Sequence, residues 1–197
     1  KSSAANPDHG QAGEDQFSAG IVQHLNQQAL AGKIDNVVII AAPHTTNWDF
    51  PITLAVAWKL HIPMQFFAKD SLFRFPFGPA LRAVGGIPVD RSRKSNLVDQ
   101  LVAEFDRREE LALVVPAEGT RSRGELWKSG FYHIARKAGV PILPAYLDYA
   151  KKLGGFGPLI FPSGDVKADM DLIRAFYADK VGKYPENFTP PRLAEEG

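Results

Sequence analysis

Two kinds of hydrophobic spacing alternate along the chain. Short uninterrupted apolar runs occur at Asn36-Val37-Val38-Ile39-Ile40, Met64-Gln65-Phe66-Phe67-Ala68, Gly86-Ile87-Pro88-Val89, Leu111-Ala112-Leu113-Val114-Val115 and Val140-Pro141-Ile142-Leu143-Pro144-Ala145-Tyr146. Runs of this kind, too short for helices and without polar alternation, read as strands buried on both faces. Between them the apolar residues recur at helical spacing. Leu97, Leu101, Val102 and Phe105 form one such stripe within Asn96 to Arg108, and Lys128 to Ala138 forms another that stops at Gly139. Pro51 to Leu60 is predicted as a helix with Asn47 or Asp49 as its cap, and Asp169 to Val181 as the last helix. Ahead of the first strand, Phe17, Ile21, Leu25 and Ala29 mark an amphipathic helix with Gly32 as its stop, and residues 1–16 read as a flexible polar tail. The alternation predicts a single α/β domain over residues 17–197, with a mostly parallel central β-sheet flanked by helices on both faces.

Composition narrows the chemistry. With 197 residues and 45% hydrophobic content, the chain supports one sizeable core. A net charge of +1 gives no overall field for nucleic acid, so none is expected as a partner and any anion must be held by a local cluster. Cysteine is absent, which excludes thiolate catalysis, and the five histidines lack paired ligand spacing, so no metal or other cofactor is expected. No apolar window reaches the roughly 18–20 residues of a membrane span, and the N-terminal residues do not resemble a signal peptide. The expectation is a soluble chain, or one lying on a membrane surface.

The candidate chemistry follows the strand ends. His44 and Asp49 lie between a strand and a helix, where open α/β sheets bind ligands, and a histidine with a carboxylate partner can act as a base. The plainer alternative is that Asp49 caps the helix and His44 is a loop residue. Asp90-Arg91 and Glu118-Gly119-Thr120-Arg121 follow two further strands, so parallel pairing puts all three groups on one rim. Gly119 suits a tight turn, and Arg91, Arg121, Arg123 and Lys128 make a local positive patch suited to phosphate. Phe73, Phe75 and Phe77 stand beside Arg74 and Arg82; buried core accounts for them most cheaply, and a surface that meets an acyl chain or bilayer is the alternative.

Four ordered blocks then carry a resemblance. His44-x-x-x-x-Asp49, Gly86-Ile87-Pro88-Val89-Asp90-Arg91, Glu118-Gly119-Thr120-Arg121-Ser122 and Val140-Pro141-Ile142-Leu143-Pro144 resemble the blocks of the glycerolipid acyltransferases, which include 1-acylglycerol-3-phosphate and other lysophospholipid acyltransferases. Lys128-Ser129-Gly130 is similar to the Lys-x-Gly after the third block, while Pro43, Pro88 and Ala117 depart from the family's usual residues. The resemblance implies a glycerol-3-phosphate acyltransferase-like fold. It also implies transfer of an acyl group from acyl-CoA or acyl carrier protein to a lysophospholipid hydroxyl. His44 would be the base oriented by Asp49, and Arg91, Glu118, Gly119, Thr120, Arg121 and Lys128 would form the acceptor site. Peripheral contact with the cytoplasmic face of a membrane is expected of such an enzyme, since both substrates are amphiphiles.

Overall fold

The computed structural model describes residues 36–59, 64–90 and 97–197. The predicted tail, the helix over Phe17 to Leu30 and Arg91 lie outside the described residues. Strands β1 (Asn36–Ala41), β2 (Met64–Lys69), β3 (Gly86–Val89), β4 (Leu111–Val115), β5 (Ile142–Asp148) and β6 (Leu153–Phe156) form one sheet in the order β3-β2-β4-β1-β5-β6. Every pairing is parallel except β5 with β6. β6 was not expected from the sequence and closes one edge of the sheet. The helices are α1 (Asp49–Lys59), α2 (Gly78–Ala83), α3 (Leu97–Arg107), α4 (Gly130–Ala138) and α5 (Val166–Tyr177).

Side chains of alternating parity give the sheet two different faces. Val38, Ile40, Leu113, Val115 and Ile142 pack with Leu101 and Phe105 of α3, Phe131 and Ile134 of α4, and Met170 and Ile173 of α5. Val37, Ile39, Met64, Val114, Leu143 and Phe156 gather on the opposite face. There Phe50 of α1 meets Phe66 of β2 edge to face, with ring centroids 4.9 Å apart.

Because the strands run parallel, the loops after β1, β2, β3 and β4 leave from one rim. β4 and β5 flank β1, so the chain beyond each emerges beside the His44 loop. β3 lies three ladder steps from β1, roughly 14 Å at the usual strand spacing. The Asp90 segment therefore leaves the sheet well to one side of the other two.

Candidate active site

The chain leaves β1 at Ala41, turns through residues 42–48 and enters α1 at Asp49. The Asp49 carboxylate does not cap that helix. It turns back on the loop, where Oδ2 accepts the backbone N–H groups of Thr45 and Thr46, each at 2.9 Å. The same oxygen stands 3.3 Å from His44 Nδ1, and Oδ1 accepts the Tyr149 hydroxyl at 2.7 Å. Four donors thus converge on one buried carboxylate, about as many as an ionised carboxylate holds. Burial works to raise the pKa of Asp49, but the hydrogen bonds from His44, Tyr149 and Thr46 outweigh it and hold the group below its ordinary value. With Nδ1 turned to Asp49, Nε2 is the nitrogen left for a ligand.

Glu118 reaches the same loop from β4. It is 1% exposed, and each of its oxygens accepts a backbone N–H: Oε1 from His44 at 2.5 Å and Oε2 from Thr189 at 3.1 Å. Burial raises its pKa in spite of these two bonds. Glu118, expected in the acceptor site, ties the His44 loop to the C-terminal segment through both of its oxygens. Gly119, beside it, has φ +69°, and the Lys128 stem crosses so close that a Cβ would stand 2.7 Å from Lys128 Cγ. The backbone freedom expected of Gly119 is present, and what approaches it here is Lys128. Thr120 Oγ1 accepts the Ser122 N–H at 3.3 Å. Arg121 is exposed, and among the described residues neither it nor Lys128 pairs with a carboxylate.

A cavity of about 420 Å³ opens at this rim, with His44 and Arg121 in its wall. Its other walls are largely apolar: Phe50 and Pro51 from α1, and Met64, Phe66, Val114 and Phe156 from the sheet. The site thus joins a basic, polar mouth to an apolar interior, which suits a ligand with a polar head and a hydrocarbon tail.

Segments distant in sequence hold the mouth together. After α5 the chain returns over the rim, where Gly182 packs so closely that a Cβ would stand 2.9 Å from Pro43 and Thr45 atoms. The Tyr184 N–H donates to Thr45 Oγ1 at 3.2 Å. Trp127 Nε1 donates to the Thr189 carbonyl at 2.7 Å, and Thr189 Oγ1 accepts the Gly124 N–H at 2.8 Å. Under the loop, the buried Tyr177 hydroxyl lies 2.9 Å from both the Ile40 and Ala145 carbonyls, bridging β1 and β5. Tyr149, Tyr177 and Thr189 were not anticipated from the sequence, because their partners lie far away along the chain.

The phenylalanine cluster divides. Phe73 is 6% exposed and packs beneath the Arg82 guanidinium, whereas Phe75 is 93% and Phe77 71% exposed. Core burial, the cheaper expectation, holds for Phe73 and is overturned for the other two. They sit with exposed Leu72, Arg74 and Arg82 in the connection between β2 and β3.

Comparison with known proteins agrees with this architecture. An acyltransferase family model matches residues 21–148. The 1-acyl-sn-glycerol-3-phosphate acyltransferase of Salmonella typhimurium is 31% identical over 132 residues, which is 64% of this chain and 52% of that protein. The Escherichia coli enzyme of the same name is 32% identical over 113 residues, covering 54% and 44% of the two chains. The chain thus spans about half the length of the curated relatives it matches. In fold it is similar to the crystal structure of the 1-acyl-sn-glycerophosphate acyltransferase from Thermotoga maritima, with a TM-score of 0.54, 16% identity, and coverage of 88% of this chain and 83% of the other. A family match over most of the parallel sheet, including the loop that joins His44 to Asp49, shows that the chain belongs to the acyltransferase family.

Proposed function

We propose that this protein transfers a fatty acyl group from an acyl thioester, either acyl-CoA or acyl carrier protein, to the hydroxyl of a lysophospholipid. The favoured acceptor is 1-acylglycerol 3-phosphate, giving phosphatidic acid. The observation that carries this reading is the His44–Asp49 pair, 3.3 Å apart, in the wall of an apolar cavity whose mouth also holds Arg121.

His44 Nε2 takes the proton from the acceptor hydroxyl, and Asp49 stabilises the imidazolium through Nδ1. The acceptor oxygen attacks the thioester carbonyl. As the tetrahedral intermediate collapses, the thiolate leaves and recovers that proton from the ring. The oxyanion is met by backbone amides near the turn after β4. The apolar cavity houses an acyl chain, and the Arg121 fork binds the acceptor's phosphate; the role of Arg91 as its partner rests on the family resemblance alone. Lys128 adds positive charge, and Gly119 and Thr120 shape the turn that presents Arg121.

Both substrates are amphiphiles, and no helix of the described residues is long and apolar enough to cross a membrane. Phe75 and Phe77, flanked by Arg74 and Arg82, support peripheral contact with an anionic bilayer on the cytoplasmic side.

The test is mass spectrometry of lipids formed from a panel of lysophospholipids and acyl thioesters, with wild type and His44→Ala in parallel. Diacyl product that depends on His44, with lysophosphatidic acid preferred, is the expected result. Release of free fatty acid alone would make the protein a thioester hydrolase, and absence of both products would leave a lipid-binding module. Transfer to a neutral or zwitterionic lysolipid in preference would remove the phosphate assignment.

A further inference from the structure

Asp49 is held from two sides, and only one of them belongs to the segment that carries His44. Its Oδ2 is fixed locally by the Thr45 and Thr46 amides and faces His44. Its Oδ1 is held by a residue 100 positions away, the hydroxyl of Tyr149 at 2.7 Å. Tyr149 follows directly on β5, the neighbour of β1, and its own N–H is anchored to the Val181 carbonyl at 2.9 Å. The Tyr149 backbone is thereby fixed between the sheet and the returning C-terminal segment. Tyr149 is not among the residues lining the cavity, and its hydroxyl reaches the site at Asp49.

We propose that Tyr149 is a positioning residue of this site: its hydroxyl pins the Asp49 carboxylate so that Oδ2 presents squarely to His44 Nδ1. A carboxylate held at one oxygen can still twist about its Cβ–Cγ bond, whereas one held at both cannot. Donation from Tyr149 also draws charge from the carboxylate and moderates its pull on the imidazole N–H. The phenol stays protonated, because burial and the adjacent Asp49 push its pKa well above the ordinary tyrosine value. Among the described residues, the other titratable or charged groups around the pair include Glu118, which interacts electrostatically with Asp49, Tyr184, which interacts with Tyr149, Asp148 and Lys152 beside Tyr149, and Arg121 in the cavity wall. None of them occupies Oδ1. The inference rests on the proposed role of His44 for its catalytic meaning, but the coupling it describes is visible without turnover.

The test is Tyr149→Phe, which keeps the ring and removes only the donor. Three readouts apply. Proton NMR of the ring N–H that His44 shares with Asp49 should show that resonance moving downfield, since the carboxylate becomes the stronger acceptor. Transfer kinetics should show kcat/KM lowered by roughly tenfold to a hundredfold, the scale of one hydrogen bond to a charged group. The acid limb of the pH–rate profile should also move to higher pH. In an Asp49→Asn background the same change should have little further effect on kcat/KM. Replacing Tyr149 with 3-fluorotyrosine, a more acidic donor, should move the resonance the other way and covers the case in which Tyr149→Phe folds poorly. An unmoved resonance in both variants, or a loss of thermal stability with an unmoved pH profile, would overturn the proposal. If the resonance responds while wild type makes no diacyl product, the coupling stands and the transferase reading falls.

Discussion

The carboxylate of Glu118 accepts the backbone N–H of His44 at 2.5 Å across 74 residues of sequence, and its second oxygen accepts the N–H of Thr189 across 71. One acidic side chain therefore joins the loop bearing the proposed base to the C-terminal segment. An amide cannot copy this, because only one of its two ends accepts. Glu118→Gln leaves one buried N–H facing an NH₂ group, at a cost of about 1–3 kcal/mol. Thermal melts should show Tm lowered by roughly 2–4 °C for each kcal/mol lost. A melt unchanged from wild type would mean that the two bonds contribute nothing to the loop.

The acid stability of the fold should carry a contribution from Asp49. Its folded pKa lies below the ordinary value of 3.8, so its stabilising effect is present above that pH and is lost as pH falls through the folded value. Asp49→Asn should therefore be less stable than wild type at pH 6, and the gap should close as pH drops below about 3.8. Melting curves of both proteins between pH 6 and acid denaturation measure this directly. A gap that stays constant down to low pH would contradict the assignment.

For the proposed reaction, His44→Ala should lower turnover by about a hundredfold or more, the low end for loss of a general base, with the far-UV circular dichroism of wild type retained. Asp49→Asn should be at least as severe, because the asparagine can present an N–H to the ring and reverse its tautomer. Full activity in purified His44→Ala would assign the base elsewhere.

Arg121 makes no ion pair among the described residues, so its removal should leave stability nearly unchanged. Arg121→Ala should instead raise the acceptor KM by about ten- to a hundredfold, equivalent to about 1.5–3 kcal/mol, and leave the thioester KM near its wild-type value. Arg121→Lys should recover only part of the loss, since a lysine lacks the bidentate fork. A uniform change in both KM values would indicate a general disturbance of the cavity mouth.

Phe75 and Phe77 are too exposed to support the core. Changing both to serine should therefore leave Tm within a degree or two of wild type, while flotation with anionic vesicles falls severalfold, as expected from losing about 1.5–3 kcal/mol per inserted ring. Phe73→Ser, by contrast, should destabilise the fold. Equal flotation of the double variant and wild type would leave the two rings without a lipid role.

How legible the fold was depended on whether a signal was local. The parallel strands announced themselves because burial on both faces makes each a continuous apolar run, as in Val37-Val38-Ile39-Ile40. β6 carried no such mark: Leu153-Gly154-Gly155-Phe156 has two glycines at its centre and no continuous apolar run. Asp49 was ambiguous because a helix cap and a carboxylate turned back on its loop both place an acid at that position. The role of Glu118 was hidden, since its neighbours Gly119, Thr120 and Arg121 suggest a ligand while its partners are distant main-chain amides. Phe75 and Phe77 look like core residues by composition, and only their exposure in the folded chain says otherwise.

The strap that crosses the mouth of the site also sets an order in time. Gly182, Tyr184 and Thr189 are synthesised after every strand and after both loops that they brace. A nascent chain can pair β1 with β4 and β5 and form the apolar interior while Glu118 still lacks the Thr189 amide and Tyr149 the Val181 carbonyl. Translation therefore delivers the apolar walls of the cavity before the segment that braces the His44 loop.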